Sequence, residues 1–165
     1  MESRRLEPAR WELAAAAADE LKSFAANVGA GVPRKALGNL SYAAFHLVQA
    51  LLASRGVSAH TLNGVQVAFS LHFVKSGAVS KSAAKLFSEL QAVRERADYQ
   101  VELAYDAGDV RRHLETAQSL MEELLAAAGA TRGLDPRAVR AAWSAASAST
   151  LPSRSPRRRG PARRA

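Results

Sequence analysis

Three polar side chains, Asn39, Tyr42 and His46, fall at intervals that return them to one face of a helix, within the run Asn39-Leu40-Ser41-Tyr42-Ala43-Ala44-Phe45-His46. Histidine titrates near neutrality and can take up or deliver a proton, tyrosine offers a hydroxyl on an aromatic ring, and asparagine an uncharged donor and acceptor. On an otherwise apolar helix such a stripe is either a satisfied core feature or the floor of a site. The residue types alone leave both readings open.

The elements that must position this stripe are helical. Alanine dominates, strand-type alternation is absent, and Gly and Pro punctuate the chain at intervals. A first helix is expected from about Pro8 to Asn27, with Trp11, Ala14, Ala17, Ala18, Leu21 and Phe24 as its apolar stripe. A second runs from Pro33 to Gly56 and carries apolar residues on both faces, which marks it as central. A third spans about Thr61 to Ser76, closed by Gly77. A fourth is capped by Ser80 or Ser82 and bears Leu86, Leu90, Val93 and Ala97. A fifth begins with Asp109 as its N-cap and ends near Gly129. Asp135-Pro136 can open a short helix through Trp143 that needs docking to persist. The expected architecture is an all-α, up-and-down bundle of four to five helices over residues 1–129, with residues 130–165 forming a possible short helix and then a disordered Arg-rich tail.

The net charge of +8 is not spread evenly. Residues 1–129 hold 14 basic and 14 acidic side chains, whereas the last 36 hold nine Arg and one acid. Arg157, Arg158, Arg159, Arg163 and Arg164 belong to a segment that is either a solubilising end or a binder of RNA, DNA or an acidic partner. Without cysteine, disulfides, thiolate metal sites and Cys nucleophiles are excluded. His60, His72 and His113 show no metal-ligand spacing, so no metal and no cofactor is assigned. No uninterrupted apolar run reaches the length of a membrane span, and early charges interrupt any signal-peptide core, so a cytoplasmic location without membrane attachment is expected.

Three stretches taken in order resemble one family. They are SYAAFHLVQALLASRGV, HFVKSG and VRERADY, the last with Arg94, Ala97, Asp98 and Tyr99 in an Arg-x-x-Ala-Asp-Tyr arrangement. From Leu37 to about Leu125 the chain resembles the HEPN domain family, in particular its small stand-alone prokaryotic members of toxin–antitoxin or defence type. The resemblance implies a helical bundle that forms a homodimer, and RNA cleavage without metal by an Arg and a His on one helix. His46 falls on the family's histidine. Asn39 stands where the family has its arginine, and Leu62 where relatives often have a histidine. Catalytic roles are thereby carried to His46, Asn39 and Tyr42, and substrate contacts to Lys35, Arg94 and Asp98. With the arginine replaced, two functions stay open: a metal-independent endoribonuclease, or a non-catalytic RNA- or nucleotide-directed module partnered with a nucleotidyltransferase. Asp98 is expected to cluster with Arg94 or Arg96, and Tyr99 to be a core aromatic. His72 is expected to cap or pack, and His113 to lie at the surface.

Overall fold

A computed structural model describes residues 9–150 of the chain; the tail arginines Arg157, Arg158, Arg159, Arg163 and Arg164, the disorder expected of residues 151–165 and the Pro8 helix start lie outside the described residues. Six α-helices follow one another: α1 (Arg10–Gly29), α2 (Pro33–Ser54), α3 (Leu62–Phe69), α4 (Lys81–Tyr99), α5 (Ala107–Gly129) and α6 (Arg137–Thr150). A π-helical segment, Ser70–Val74, continues α3. Among the described residues there is no strand, so the all-α class stands, with one full helix more than the expected four to five.

The central element is α2. Pro33 sits in its first turn, and Leu37, Leu40, Ala43, Ala44, Leu47, Val48 and Leu51 are fully buried. It packs against α1, α3, α4 and α5, which explains apolar residues around most of its circumference. By length and composition α2 could cross a membrane, but two thirds of its most apolar window is buried within the fold, as in the core helix of a bundle. Phe24 from α1, Phe69 and Phe73 around the π segment, Phe87 from α4, and Leu114 and Leu120 from α5 complete the core.

The starts of α3, α4 and α5 carry side-chain caps that satisfy free N–H groups, whereas at α1 the first-turn Glu12 turns back instead. The Ala9 N–H donates to Glu12 Oε2 at 2.8 Å. Thr61 Oγ1 accepts from the Gly64 N–H at 3.0 Å, and Ser80 Oγ accepts from the Ala83 N–H at 3.1 Å. Ser80 also donates from its N–H and hydroxyl to Glu123, at 2.9 and 2.7 Å, and so ties α4 to α5. The expected N-cap Asp109 is corrected to Asp106. The two aspartates form a reciprocal capping box, in which Asp106 Oδ1 and Asp109 Oδ2 each accept a backbone N–H at 2.8 Å. Asp109 is thus the third helical residue.

The third helix, expected to run without a break from about Thr61 to Ser76, changes character at Ser70. The Lys75 N–H reaches back five residues to Ser70 O at 3.0 Å, widening the turn. Around it the His72 carbonyl accepts from the Arg55 guanidinium and from Ser76 Oγ, side chains that compete with the regular ladder. Arg55 also lies over the Phe73 ring at 3.9 Å. Gly77, at φ 77°, then reverses the chain as expected.

Beyond the expected end at Trp143, α6 extends to Thr150 and packs along α1. Val139, Ala142, Trp143 and Ala146 join the same core as the other helices. Gly133 (φ 79°) makes the preceding turn, where the Arg10 guanidinium presses so closely that a Cβ would collide with it. Arg10 Nε donates to the Gly133 carbonyl at 2.7 Å. Two aromatic expectations are overturned. Trp11 is 68% exposed rather than part of the buried stripe of α1, and Tyr99 is 80% exposed rather than a core aromatic. Trp11 lies in the first turn of α1, short of the buried run that starts at Ala14. Tyr99 is the last residue of α4, where the helix leaves the bundle.

Candidate functional site

The polar stripe of α2 is real but divided. At its centre Tyr42, half-buried, stacks against His46 one turn further on, with ring centroids 6.2 Å apart and planes at 24°. Phe45 meets the same imidazole edge-on at 6.0 Å. These rings leave His46 partly exposed and fix its plane. Its Nδ1 lies 3.1 Å from Gln49 Oε1, and the Gln49 amide is itself oriented by donating from Nε2 to the Ala59 carbonyl at 3.1 Å. Because the Gln49 oxygen can only accept, Nδ1 must carry the proton. In the neutral ring Nε2 is therefore the basic nitrogen, which is the tautomer a general base requires. Gln49 also borders a groove of about 340 Å³ together with Trp11 and His60.

From the facing helix α4, Arg94 extends its guanidinium over the Tyr42 ring, 4.6 Å from the centroid. Its Nε is buried and has no hydrogen-bond partner among the described residues. Tyr42 thus contacts both Arg94 across the α2–α4 seam and His46 on its own helix, and links the cation to the imidazole. The ring quadrupole stabilises the cation in part. An unpaired, desolvated guanidinium N–H is costly, and an oxyanion is the acceptor it suits best.

Asn39, at the other end of the stripe, is committed to structure. Its Nδ2 donates to Glu20 Oε2 at 2.8 Å, and its Oδ1 accepts from Asn27 Nδ2 at 2.7 Å. This three-residue brace joins α1 to α2. Lys35, one turn earlier, is exposed and shares with Asn39 and Tyr42 a cleft of about 510 Å³ between α1, α2 and the end of α4. Asp98 stands at the same cleft, exposed, and makes no ion pair with Arg94 or Arg96 among the described residues; the expected cluster of these side chains is not formed. The resemblance-derived residues are therefore split between the Arg94–Tyr42–His46 contacts and a cleft bearing Lys35, Asn39 and Asp98, with Tyr42 common to both.

Four contributors were not singled out from the sequence. Gln49, Glu20 and Asn27 hold His46 and Asn39, as just described. Arg34 reaches from the start of α2 to the carbonyls of Ala97, Gln100, Val101 and Leu103, and its guanidinium lies 5.2 Å from the Tyr105 ring centroid. One planar fork thereby gathers the carbonyls where α4 ends. Only Gln49 and Asn27 left a local trace: Gln49 lies three residues after His46, and Asn27 sits at the polar end of the first helix. The others act across long sequence separations.

The remaining histidines lie elsewhere. The His72 side chain is half-buried, while its carbonyl binds Arg55 and Ser76. His113, expected at the surface, is half-buried in the α4–α5 seam, where burial is the largest influence and pulls its pKa below the usual histidine value, outweighing the attraction of Asp109. No group of three potential metal ligands comes together among the described residues.

A UPF0332 protein of Thermotoga maritima is 29% identical over 89 residues, which cover 54% of this chain and 67% of that protein. The sequence model of the HEPN domain matches residues 11–127, from the first turn of α1 almost to the end of α5. The chain belongs to the HEPN domain family.

Proposed function

We propose that this HEPN protein is a metal-independent, RNA-directed phosphodiester-cleaving module in which Arg94 supplies the positive charge that Asn39 does not. The observation that carries this reading is the Arg94 guanidinium held over the Tyr42 ring, which in turn stacks on His46. In this reading Arg94 binds a non-bridging phosphate oxygen. His46 Nε2 takes the proton of the 2′-hydroxyl as the 2′-oxygen attacks phosphorus. The 5′-oxygen leaves, a 2′,3′-cyclic phosphate remains on the upstream nucleotide, and the leaving oxygen receives a proton. In a homodimer, a second copy would bring another His46 to the same cleft for that last transfer. The setting is the cytoplasm, and the biological context one of toxin–antitoxin or defence type.

The test is cleavage of total RNA or tRNA by purified protein in the presence of EDTA. His46→Ala and Arg94→Ala should each lower the rate by about 10²–10³, the ordinary scale for losing an acid–base group or one preorganised charge. Products should end in cyclic phosphate. No cleavage by the parent, or cleavage insensitive to His46→Ala, would overturn the reading.

A second reading has its own support. The Asn39 amide is committed to both Glu20 and Asn27, which makes the family's arginine position part of the scaffold. That favours a non-catalytic module acting as partner or scaffold of a nucleotidyltransferase. In that case the parent binds RNA or its partner without turnover.

A further inference from the structure

The cleft between α1, α2 and the end of α4 is a poor place for phosphate. Two carboxylates, Glu20 and Asp98, face it, and they offset its two cations, Lys35 and Arg34. Arg34 is moreover committed to the carbonyls that follow α4. A polyanionic backbone gains nothing from this balance. A neutral, flat group with hydrogen-bonding edges gains a great deal. The cleft, at about 510 Å³, lies within the range of small-ligand sites, and Tyr42, Ala97 and Val101 give it apolar walls.

Its polar groups are arranged by sign. The Asn27–Asn39–Glu20 brace fixes the Glu20 carboxylate, using Oε2 and leaving Oε1 without a hydrogen bond among the described residues. Asp98 is exposed and makes no hydrogen bond or ion pair among the described residues. Lys35 supplies an ammonium at the same cleft. Carboxylates accept paired N–H donors, and an ammonium donates to carbonyl oxygen. Among the nucleobases only guanine presents two adjacent N–H donors, N1–H and the N2 amino group, next to a carbonyl oxygen, O6. Adenine and cytosine offer one amino group beside an acceptor nitrogen, and uracil a single N–H between two carbonyls.

We propose that this cleft is a guanine-binding subsite, in which a carboxylate of the Glu20/Asp98 pair takes N1–H and N2–H and Lys35 takes O6. The proposal rests on the RNA-directed reading and deepens it: the base enters the α1–α2–α4 cleft while its phosphate lies along Tyr42 toward Arg94. Asn39 then serves recognition by holding Glu20.

The test is equilibrium binding of 2′-O-methyl hexanucleotides, which cannot be cleaved, carrying guanine, inosine, adenine, cytosine or uracil at one position. NMR titration with guanosine, which has no phosphate, runs beside it. Guanine should bind about tenfold more tightly than adenine, the scale of one bidentate base contact. Inosine, which lacks the N2 amino group, should fall between them. At least one of Asp98→Asn and Glu20→Gln should remove the guanine preference, which identifies the carboxylate that takes N1–H and N2–H, and Lys35→Ala should reduce the preference. Guanosine should shift the amides of Gly38 and Asn39. Equal affinity for all bases, or a preference unchanged in both Asp98→Asn and Glu20→Gln, would overturn the subsite. Those outcomes leave the phosphate site standing. Conversely, a guanosine response in a protein that cleaves no RNA would remove the cleavage reading and keep this one.

Discussion

At the scale of single residues, two positions do the opposite of what their place in the family pattern suggests. Asn39, which the resemblance sets at an arginine position, works as a brace, donating to Glu20 and accepting from Asn27. Asn39→Ala strips both partners of their hydrogen bond in a partly buried setting and should destabilise the fold by about 1–2 kcal/mol, read by denaturant midpoint. Unchanged stability would show that the brace contributes nothing. Arg94, by contrast, sits where a fold-stabilising ion pair was expected and has none among the described residues. His113 carries a pH signature of its own. Burial lowers its folded-state pKa, and Asp109, Arg112 and Arg96 are the charges that act on it. The unfolded chain therefore binds a proton more readily than the folded one. Stability contributed by neutral His113 is complete above the ordinary histidine value near pH 6.5 and declines as pH falls below it, levelling off under the folded-state pKa. His113→Gln should flatten that slope below about pH 6.5. Asp109, held below the usual carboxylate range chiefly by the Asp106 backbone hydrogen bond, adds its own loss only in more acidic solution.

At the scale of elements, much was legible. The central place of α2 followed from its apolar circumference, and Ser80 and Gly77 marked their helix ends because each acts on atoms within a few residues. The Asp106/Asp109 exchange shows how such local reading slips. Both aspartates can cap, and the reciprocal box needs both, so only the backbone geometry distinguishes the cap from the third residue. Tyr99 and Trp11 failed for a different reason: helical periodicity says which face an aromatic shares but not where the bundle ends. The π-helical widening at Ser70–Val74 is met by Arg55, just past the end of α2, and had no local signal. The sixth helix needed docking to persist and found it on α1. Trp143, 8% exposed, is its anchor, so Trp143→Ala should cost about 3 kcal/mol and lower Tm by on the order of 10 °C. A negligible change would mean that α6 is dispensable to the core.

At the scale of the whole molecule, the family pattern was visible because each of its motifs is a short continuous stretch, on one helix or across its end. The site was only half visible, because its decisive contacts bridge helices. Arg94 meets Tyr42 across the α2–α4 seam, and Arg34 holds the end of α4 from the start of α2. Neither pairing leaves a trace in spacing. The resulting division of labour sets a linked cation, aromatic ring and imidazole beside a cleft of balanced charge, in a bundle whose first 129 residues are electrically neutral. The central claim is that Arg94 supplies the charge that Asn39 does not. The most direct measurement is single-turnover RNA cleavage by the parent, by Arg94→Ala, and by Arg94→Ala combined with Asn39→Arg. The account predicts a loss of about 10²–10³ for Arg94→Ala, and recovery of at least part of that loss when Asn39→Arg returns a guanidinium to α2. Parent activity that Arg94→Ala leaves intact, or a parent that does not cleave at all, would contradict it.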